Sequence, residues 1–146
     1  MHPEIHLHYP AIAACVVASF FLGFVWYGPL FGKVWARLVG LAPDFKPSPP
    51  QMAKAMGLMV LGSFLTAYVL AHSVLVWRAS TWHAGADGPS WTYGFFGGFF
   101  TWLGFYVPPL FSSVAWEGRS WKLFGINAAY HFVALQVTGA ILAQWR

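Results

Sequence analysis

The chain has 146 residues, of which 58% are hydrophobic, 20% aromatic and only 8% charged. Because a soluble domain carries about a quarter charged residues, this composition excludes an ordinary soluble domain and indicates a membrane protein. The length predicts one domain, residues 1–146, in which four spans of about 20 residues leave no room for a separate catalytic domain.

The residues before the first apolar stretch carry three histidines, His2, His6 and His8, and no Lys or Arg. They therefore lack the basic start of a secretory signal. Neutral imidazoles can bind a divalent metal, but histidines near a chain terminus are usually solvated, so we predict no metal site.

The first predicted span covers residues 11–31, which contain no charged side chain. Pro29 near its end removes a backbone donor and therefore ends or bends the helix. Small or polar groups recur at every fourth position on one helical face, where a neighbouring helix can pack closely: Cys15, Ser19, Gly23 and Tyr27.

The second predicted span covers residues 55–77 and lies between Lys54 and Arg78. It follows a proline-rich loop at residues 40–51, which cannot continue a helix. A stripe of small residues that permits close helix contact runs along it at four-residue spacing: Ser63, Ala67 and Ala71.

The third predicted span covers residues 91–114 and is rich in glycine. Pro108 and Pro109 interrupt it, so neighbouring groups must satisfy the backbone that they free. In the turn that follows, Glu117 and Arg119 are predicted to form a charge pair at headgroup depth, where exposed pairs contribute under about 1 kcal/mol. The glycines predicted to lie against another backbone are Gly94, Gly98 and Gly104.

The fourth predicted span covers residues 123–145, between Lys122 and Arg146, and again contains no charged side chain. Polar side chains at this depth are costly unless they face protein, water or a ligand. The span therefore has a packing or functional face, formed by its polar residues: Asn127, Tyr130, His131 and Thr138.

The sequences of the predicted spans show an internal repeat. Residues 54–78 align without a gap with residues 122–146, and residues 22–24 and 103–105 both read Leu-Gly-Phe. The repeat predicts an all-α membrane fold of four transmembrane helices, built as two tandem helical hairpins. Because each hairpin has an even number of spans, both insert in the same direction, related by a pseudo-two-fold axis along the membrane normal.

Basic residues indicate the orientation in the membrane. The protein is predicted to lie in the inner membrane of a bacterium. Loops rich in Lys and Arg stay in the cytoplasm, so both termini are predicted to lie outside the cytoplasm. The basic residues form no run, so no nucleic-acid partner is predicted. Six of the eight lie in the first and third loops: Lys33, Arg37, Lys46, Lys54, Arg119 and Lys122.

Two stretches carry a resemblance to a known family. Residues 26–35 read Trp-Tyr-Gly-Pro-Leu-Phe-Gly-Lys-Val-Trp, and residues 117–131 read Glu-Gly-Arg-Ser-Trp-Lys-Leu-Phe-Gly-Ile-Asn-Ala-Ala-Tyr-His. They are similar to the signature stretches of a bacterial membrane family catalogued as domain of unknown function 1761, and the resemblance covers essentially the whole chain. Ser120 stands where the family pattern has Pro. The resemblance implies four membrane helices and supplies no activity, because the family is uncharacterised.

Two functional hypotheses follow. The spans contain no Asp, Glu, Lys or Arg, so we predict no enzyme and no cofactor. The first hypothesis is a non-enzymatic subunit or assembly partner in a homo-oligomer or larger membrane complex, with the lipid bilayer around it. The alternative is a small homodimeric transporter or channel with a polar site around Asn127 and His131. A haem or pigment ligand at His72 or His131 stays open beside the preferred role in packing.

Depth in the membrane predicts a partner for His131. At about 1.5 Å per residue, His131 lies about 14 Å from Lys122, and Ser63 lies at the matching depth from Lys54. We therefore expect His131 to approach Ser63, and replacement of His131 by Leu to cost no more than about 1 to 2 kcal/mol.

Overall fold

Helices provide the regular structure in the computed structural model, which describes residues 2–145. Two π-helical turns lie between the α-helices, the first π turn at Trp26–Leu30 and the second π turn at Trp102–Tyr106. A 3-10 helix lies at Ser80–Trp82. The described residues contain no strand, in agreement with the predicted all-α class. The α-helices are α1 (Tyr9–Val25), α2 (Gly32–Leu38), α3 (Pro49–Val76), α4 (Ser90–Thr101), α5 (Val107–Ala115) and α6 (Trp121–Gln144).

Three helical stretches are long and apolar enough to cross a membrane: Tyr9–Leu30, Pro49–Val76 and Trp121–Gln144. They correspond to the first, second and fourth predicted spans. The third prediction, residues 91–114, falls on α4, the second π turn and α5, a helical run that is not among the three. The all-α class is therefore confirmed, with three helices in residues 2–145 that could span a membrane, whereas the fourth span and the tandem two-fold relation stay predictions.

Side-chain caps explain where two of the long helices begin. Ser48 Oγ accepts a hydrogen bond from the Gln51 backbone N–H at 3.4 Å, and Gln51 Oε1 accepts one from the Ser48 N–H at 2.9 Å. This capping box, followed by Pro49 at the first position, starts α3 before the predicted residue 55. Ser120 Oγ likewise accepts from the Leu123 N–H at 3.1 Å and starts α6.

The most deeply buried side chains lie at one end of the bundle, which we call the tight end. They come from the beginning of α1, the last turns of α3 and the second half of α6, so three helices meet there. Their burial provides the apolar core. The cluster consists of Ala11, Ile12, Cys15, Ala67, Leu70, Ala71, Val74, Leu135, Leu142 and Ala143.

Glycine permits a backbone-to-backbone crossing of α4 and α6 at the tight end. A Cβ added to Gly94 would collide with the carbonyl oxygen of Gly139, and one added to Gly98 would lie 2.8 Å from the Leu135 oxygen. Side chains at these two positions would therefore force the helices apart. Gly104 differs from the prediction, because it is exposed in the second π turn and has no neighbouring atom within 4 Å of such a Cβ.

Arg78 fastens the tight end. Its side chain folds back into the bundle, where Nη2 donates to the Ala143 carbonyl at 2.9 Å and Nη1 donates to Asp87 Oδ2 at 3.4 Å. Only 5% of the residue is exposed, so it is more than the flanking residue that the sequence predicts. Ala143 belongs to the last turn of α6, whose free carbonyls attract a cation.

Asp87 is fixed in turn by the 3-10 helix. The Ser80 backbone N–H donates to Asp87 Oδ1 at 2.9 Å and the Ser80 hydroxyl donates to Oδ2 at 2.8 Å. These bonds, the backbone one first, together with Arg78, hold the pKa of Asp87 below its ordinary value of 3.8. The carboxylate is therefore charged at neutral pH.

The two π turns both attach to α6. The Trp26 indole N–H donates to the Ile126 carbonyl at 3.2 Å, and the Trp102 indole N–H donates to the Ala128 carbonyl at 2.8 Å. Both π turns therefore pack against the first half of α6.

Candidate functional site

The other end of the bundle contains a cavity of about 640 Å³, which we call the outer cavity. Its wall is mostly aromatic and aliphatic, and none of its lining residues is Asp, Glu, Lys or Arg. Cavities of about 300 to 1,000 Å³ with such walls commonly hold small molecules. The lining residues are Phe20, Gly23, Phe24, Tyr27, Gly28, Trp35, Met52, Ala55, Met56, Met59, Leu110, Asn127, Tyr130 and His131.

A smaller space of about 270 Å³, the inner chamber, lies deeper between α1, α3 and α6. It shares Met59, Tyr130 and His131 with the outer cavity, so these three residues form the boundary between the two spaces. Hydroxyl groups dominate its polar wall: Ser19, Ser63, Thr66, Tyr106 and Thr138.

Tyr27 and Asn127 form a pair across the outer cavity. The Tyr27 hydroxyl donates to Asn127 Oδ1 at 2.8 Å, and the Tyr27 ring meets the Tyr130 ring edge-on with centroids 5.0 Å apart. Because the Asn127 oxygen is the acceptor, its amide NH₂ group remains as a donor. Within residues 2–145 no acceptor engages this NH₂ group.

His131 lies between two tyrosines at the boundary of the two spaces. Its ring centroid is 4.7 Å from that of Tyr106 and 5.2 Å from that of Tyr130. Neither ring nitrogen of His131 nor the Tyr130 hydroxyl has a hydrogen-bond partner within the described residues. An imidazole without a polar partner is costly in an apolar surrounding, so this position favours a bound polar group or water.

His131 and Ser63 line the same inner chamber, but no hydrogen bond joins them within residues 2–145. The bond that connects α3 with a neighbouring helix here is a different one, because Thr66 Oγ1 and the Tyr106 hydroxyl lie 3.0 Å apart. His131 and Ser63 therefore share a chamber without bonding to each other. The hydrogen bond from α3 goes to the second π turn, between Thr66 and Tyr106.

The remaining predicted residues are distributed over the molecule. Thr138 is buried, and its carbonyl accepts a weak bond from Cys15 Sγ at 3.7 Å. Gly23 lies against the outer cavity, where an added Cβ would be 3.2 Å from both Met59 Cε and the Tyr130 oxygen. The exposed pair Glu117 and Arg119 has its charged atoms 3.8 Å apart. Arg146 lies outside the described residues.

Sequence reasoning missed three methionines of the outer cavity. Met52, Met56 and Met59 follow one another at helical spacing, so they share one face of α3, and all three are half-exposed into the cavity. The helical spacing of these methionines is the feature of the sequence that could have indicated a shared face. Methionine is adaptable in shape, so this wall can accommodate apolar ligands of different outline.

The N-terminal segment forms a strap over the tight end. The Glu4 backbone N–H donates to the Thr81 carbonyl at 3.2 Å, and the Glu4 carboxylate lies 3.8 Å from His83. A space of about 450 Å³ beneath the strap is lined by Arg78 and Asp87 among others. Arg78 and Asp87 pair with each other there, and the Glu4 carboxylate also lines this space.

The fold and the site define an all-helical membrane protein with an uncharged cavity between its helices. Residues 10–143 match the sequence profile of the family described as protein of unknown function DUF1761, and the chain belongs to this family. No curated protein and no solved structure matches the chain. The resemblance carried by residues 26–35 and 117–131 is thereby confirmed.

Proposed function

We propose that this chain is a non-enzymatic membrane protein that binds an uncharged, lipid-soluble molecule in the outer cavity. The observation that carries the proposal is the set of polar groups without protein partners, on Asn127, Tyr130 and His131, at the inner wall of an otherwise apolar cavity. Such groups are costly in a membrane unless water or a ligand satisfies them. A ligand with an apolar body and a polar head fits both parts of the wall.

The proposed membrane arrangement has four spans. The helical run through α4, the second π turn and α5 would be the third of them, and its fit against α6 at Gly94 and Gly98 supports placement at membrane depth. The basic first and third loops would face the cytoplasm of a bacterium, with the termini outside. The two hairpins would form the tandem parallel repeat.

Binding is a better proposal than catalysis for this site. Neither the outer cavity nor the inner chamber is lined by Asp, Glu, Lys or Arg, so paired carboxylates or a charged nucleophile activator are not available there. The chemistry that remains is hydrogen bonding by amide, hydroxyl and imidazole groups.

A carrier or binding subunit is also favoured over an open channel. Leu135 lines the inner chamber and belongs to the buried apolar core, in which Cys15 and Val74 are almost fully buried. A solute that entered at the outer cavity would meet this core, since well-packed interiors have few voids larger than a water molecule.

The test is photo-crosslinking in nanodiscs with a diazirine-bearing hexadecanol, followed by peptide mass spectrometry. We expect saturable labelling on the cavity wall, around Met52 and Met56. Gly23→Leu should reduce labelling at least about tenfold, because a side chain there meets Met59 and Tyr130. Gly57→Leu is the matched control, because Gly57 has open space around it. Labelling that does not saturate, or that is equal in both variants, contradicts the proposal.

One observation favours the second candidate, a subunit of a homo-oligomer or larger complex. The first half of α3, from Pro49 to Thr66, has no buried residue, although the helix is long enough to cross a membrane. A second copy or another membrane subunit would cover this face. Native mass spectrometry from nanodiscs would show a stable multimer in that case, and a monomer in every lipid composition would contradict it.

A further inference from the structure

We infer that the ligand class is a lipid quinone, a flat ring bearing two carbonyl groups and an apolar tail. The inference rests on the proposed function and specifies its ligand. The ring would lie at the boundary formed by Tyr130 and His131, with the tail in the outer cavity.

Charge excludes the most abundant membrane amphiphiles. Phospholipids and fatty acids carry anionic heads, and an anion at this depth requires a cation beside it. Arg78 belongs to the tight end and is paired with Asp87, and no Lys or Arg lines either space. A neutral head group therefore fits these spaces better than an anionic one.

The free hydrogen-bonding groups match a head that accepts hydrogen bonds. The Asn127 amide offers two N–H donors because its oxygen is occupied by Tyr27. The Tyr130 hydroxyl and the His131 imidazole each offer a further donor, and the inner chamber adds hydroxyl groups that can rotate to donate. A quinone presents two carbonyl acceptors on opposite edges of its ring and no donor, so one carbonyl can face Asn127 while the other faces the inner chamber.

The surrounding rings favour a flat head. His131 has Tyr106 and Tyr130 on either side, and Tyr27 contacts both Tyr130 and Trp35, whose centroid is 5.5 Å away. Aromatic walls stabilise a planar ring by offset or edge-on contacts, an interaction that a fatty alcohol cannot make. The inner chamber of about 270 Å³ can admit a ring edge, while the outer cavity is large enough for the chain.

Trp35 provides the readout, because it lines the outer cavity and quinones quench indole fluorescence. We would titrate the protein in nanodiscs with decylubiquinone and separate the saturable quenching from the linear collisional part. The Trp26 ring lies 6.1 Å from that of Tyr130, so the combined variant Trp26→Phe/Trp35→Phe should remove most of the saturable part. Trp121→Phe, which removes a tryptophan that is 65% exposed and lines neither space, should leave it intact.

His131→Leu should weaken decylubiquinone binding about tenfold in the wild-type tryptophan background, and 1-decanol should compete only weakly. Saturable quenching that survives undiminished in the combined variant Trp26→Phe/Trp35→Phe, or the lack of any saturable quenching, overturns the quinone assignment. If hexadecanol labelling still saturates in that case, the proposed function stands with another neutral ligand. If neither probe binds saturably, both proposals fail.

Discussion

The tight end and the end that contains the outer cavity differ in how one helix, α6, meets its neighbours. At the tight end Gly139 and Ala143 let α4 approach closely, and a cluster of buried apolar side chains joins α1, α3 and α6. At the other end Asn127, Tyr130 and His131 hold the neighbours at the distance of a ring or a ligand. The comparison teaches that side-chain size along one helix separates a region built for cohesion from a region built for binding.

The first prediction concerns the closest contact of the tight end. Gly94→Val should lower the free energy of unfolding by about 3 kcal/mol or more, because its Cβ would collide with the Gly139 carbonyl and neither backbone can move away cheaply. Reversible unfolding in mixed SDS and detergent micelles measures this. Gly104→Val is the control and should cost less than about 1 kcal/mol, since no atom lies near it. Equal losses in both variants would remove the distinction between the two ends.

The second prediction concerns the ion pair of the tight end. Asp87→Asn should cost about 2 kcal/mol, because it leaves the Arg78 guanidinium buried without its counter-charge while keeping part of the hydrogen bonding. The same unfolding assay applies, with Glu117→Gln as the control. Glu117 also pairs with an arginine, but both of those side chains are exposed, so its loss should be small.

The pH dependence of the wild type follows from the same pair. The pKa of Asp87 is lowered in the folded state, so the unfolded state takes up the proton first and the stabilisation is present above pH 3.8. It is lost as the pH falls below that value toward the folded pKa. Asp87→Asn should remove this acid-side decrease, and an unchanged acid limb in that variant would contradict the assignment to Asp87.

The third prediction tests the attachment of the π turns to α6. Trp102→Phe and Trp26→Phe should each cost about 1 kcal/mol, the contribution of one interhelical hydrogen bond plus some lost packing. Trp116→Phe serves as the control, because this residue is 89% exposed and should show no measurable change. A hydrogen-exchange increase at residues 126–128 in the two variants would localise the effect.

The fourth prediction compares the effect of one substitution on stability with its effect on binding at the outer cavity. His131→Leu should change the free energy of unfolding by less than about 0.6 kcal/mol, below the 1 to 2 kcal/mol ceiling expected for interhelical hydrogen bonding, because the side chain has no hydrogen-bonding partner within residues 2–145. Binding in the crosslinking and fluorescence assays should nevertheless decrease. Ser63→Ala is the control for the inner chamber alone. A large stability loss with unchanged binding would restore the packing role for His131.

The sequence predicted well what depends on local composition. Apolar length located three helices, the Ser-Pro-Pro-Gln stretch contained the signal for an earlier start of α3, and the glycine spacing identified Gly94 and Gly98. It could not predict that Tyr27 reaches Asn127, because a contact between residues 100 positions apart depends on helix rotation and register. The sequence also predicts no more for Arg78 than a position at the end of the second span. Such a position does not reveal whether a long side chain turns outward or back into the bundle.

The shape of the outer cavity depends on how many residues each π turn contains as well as on which residues line the wall. A π-helical turn holds one residue more than an α-helical turn, and each residue of an α-helix advances the phase by about 100°. Deletion of Gly28 would restore α-helical spacing in the first π turn and rotate α1 relative to α2 by about that angle. The face of α1 that carries Phe20 and Phe24 would then no longer share a wall with Trp35, although every side chain of the wall would still be present.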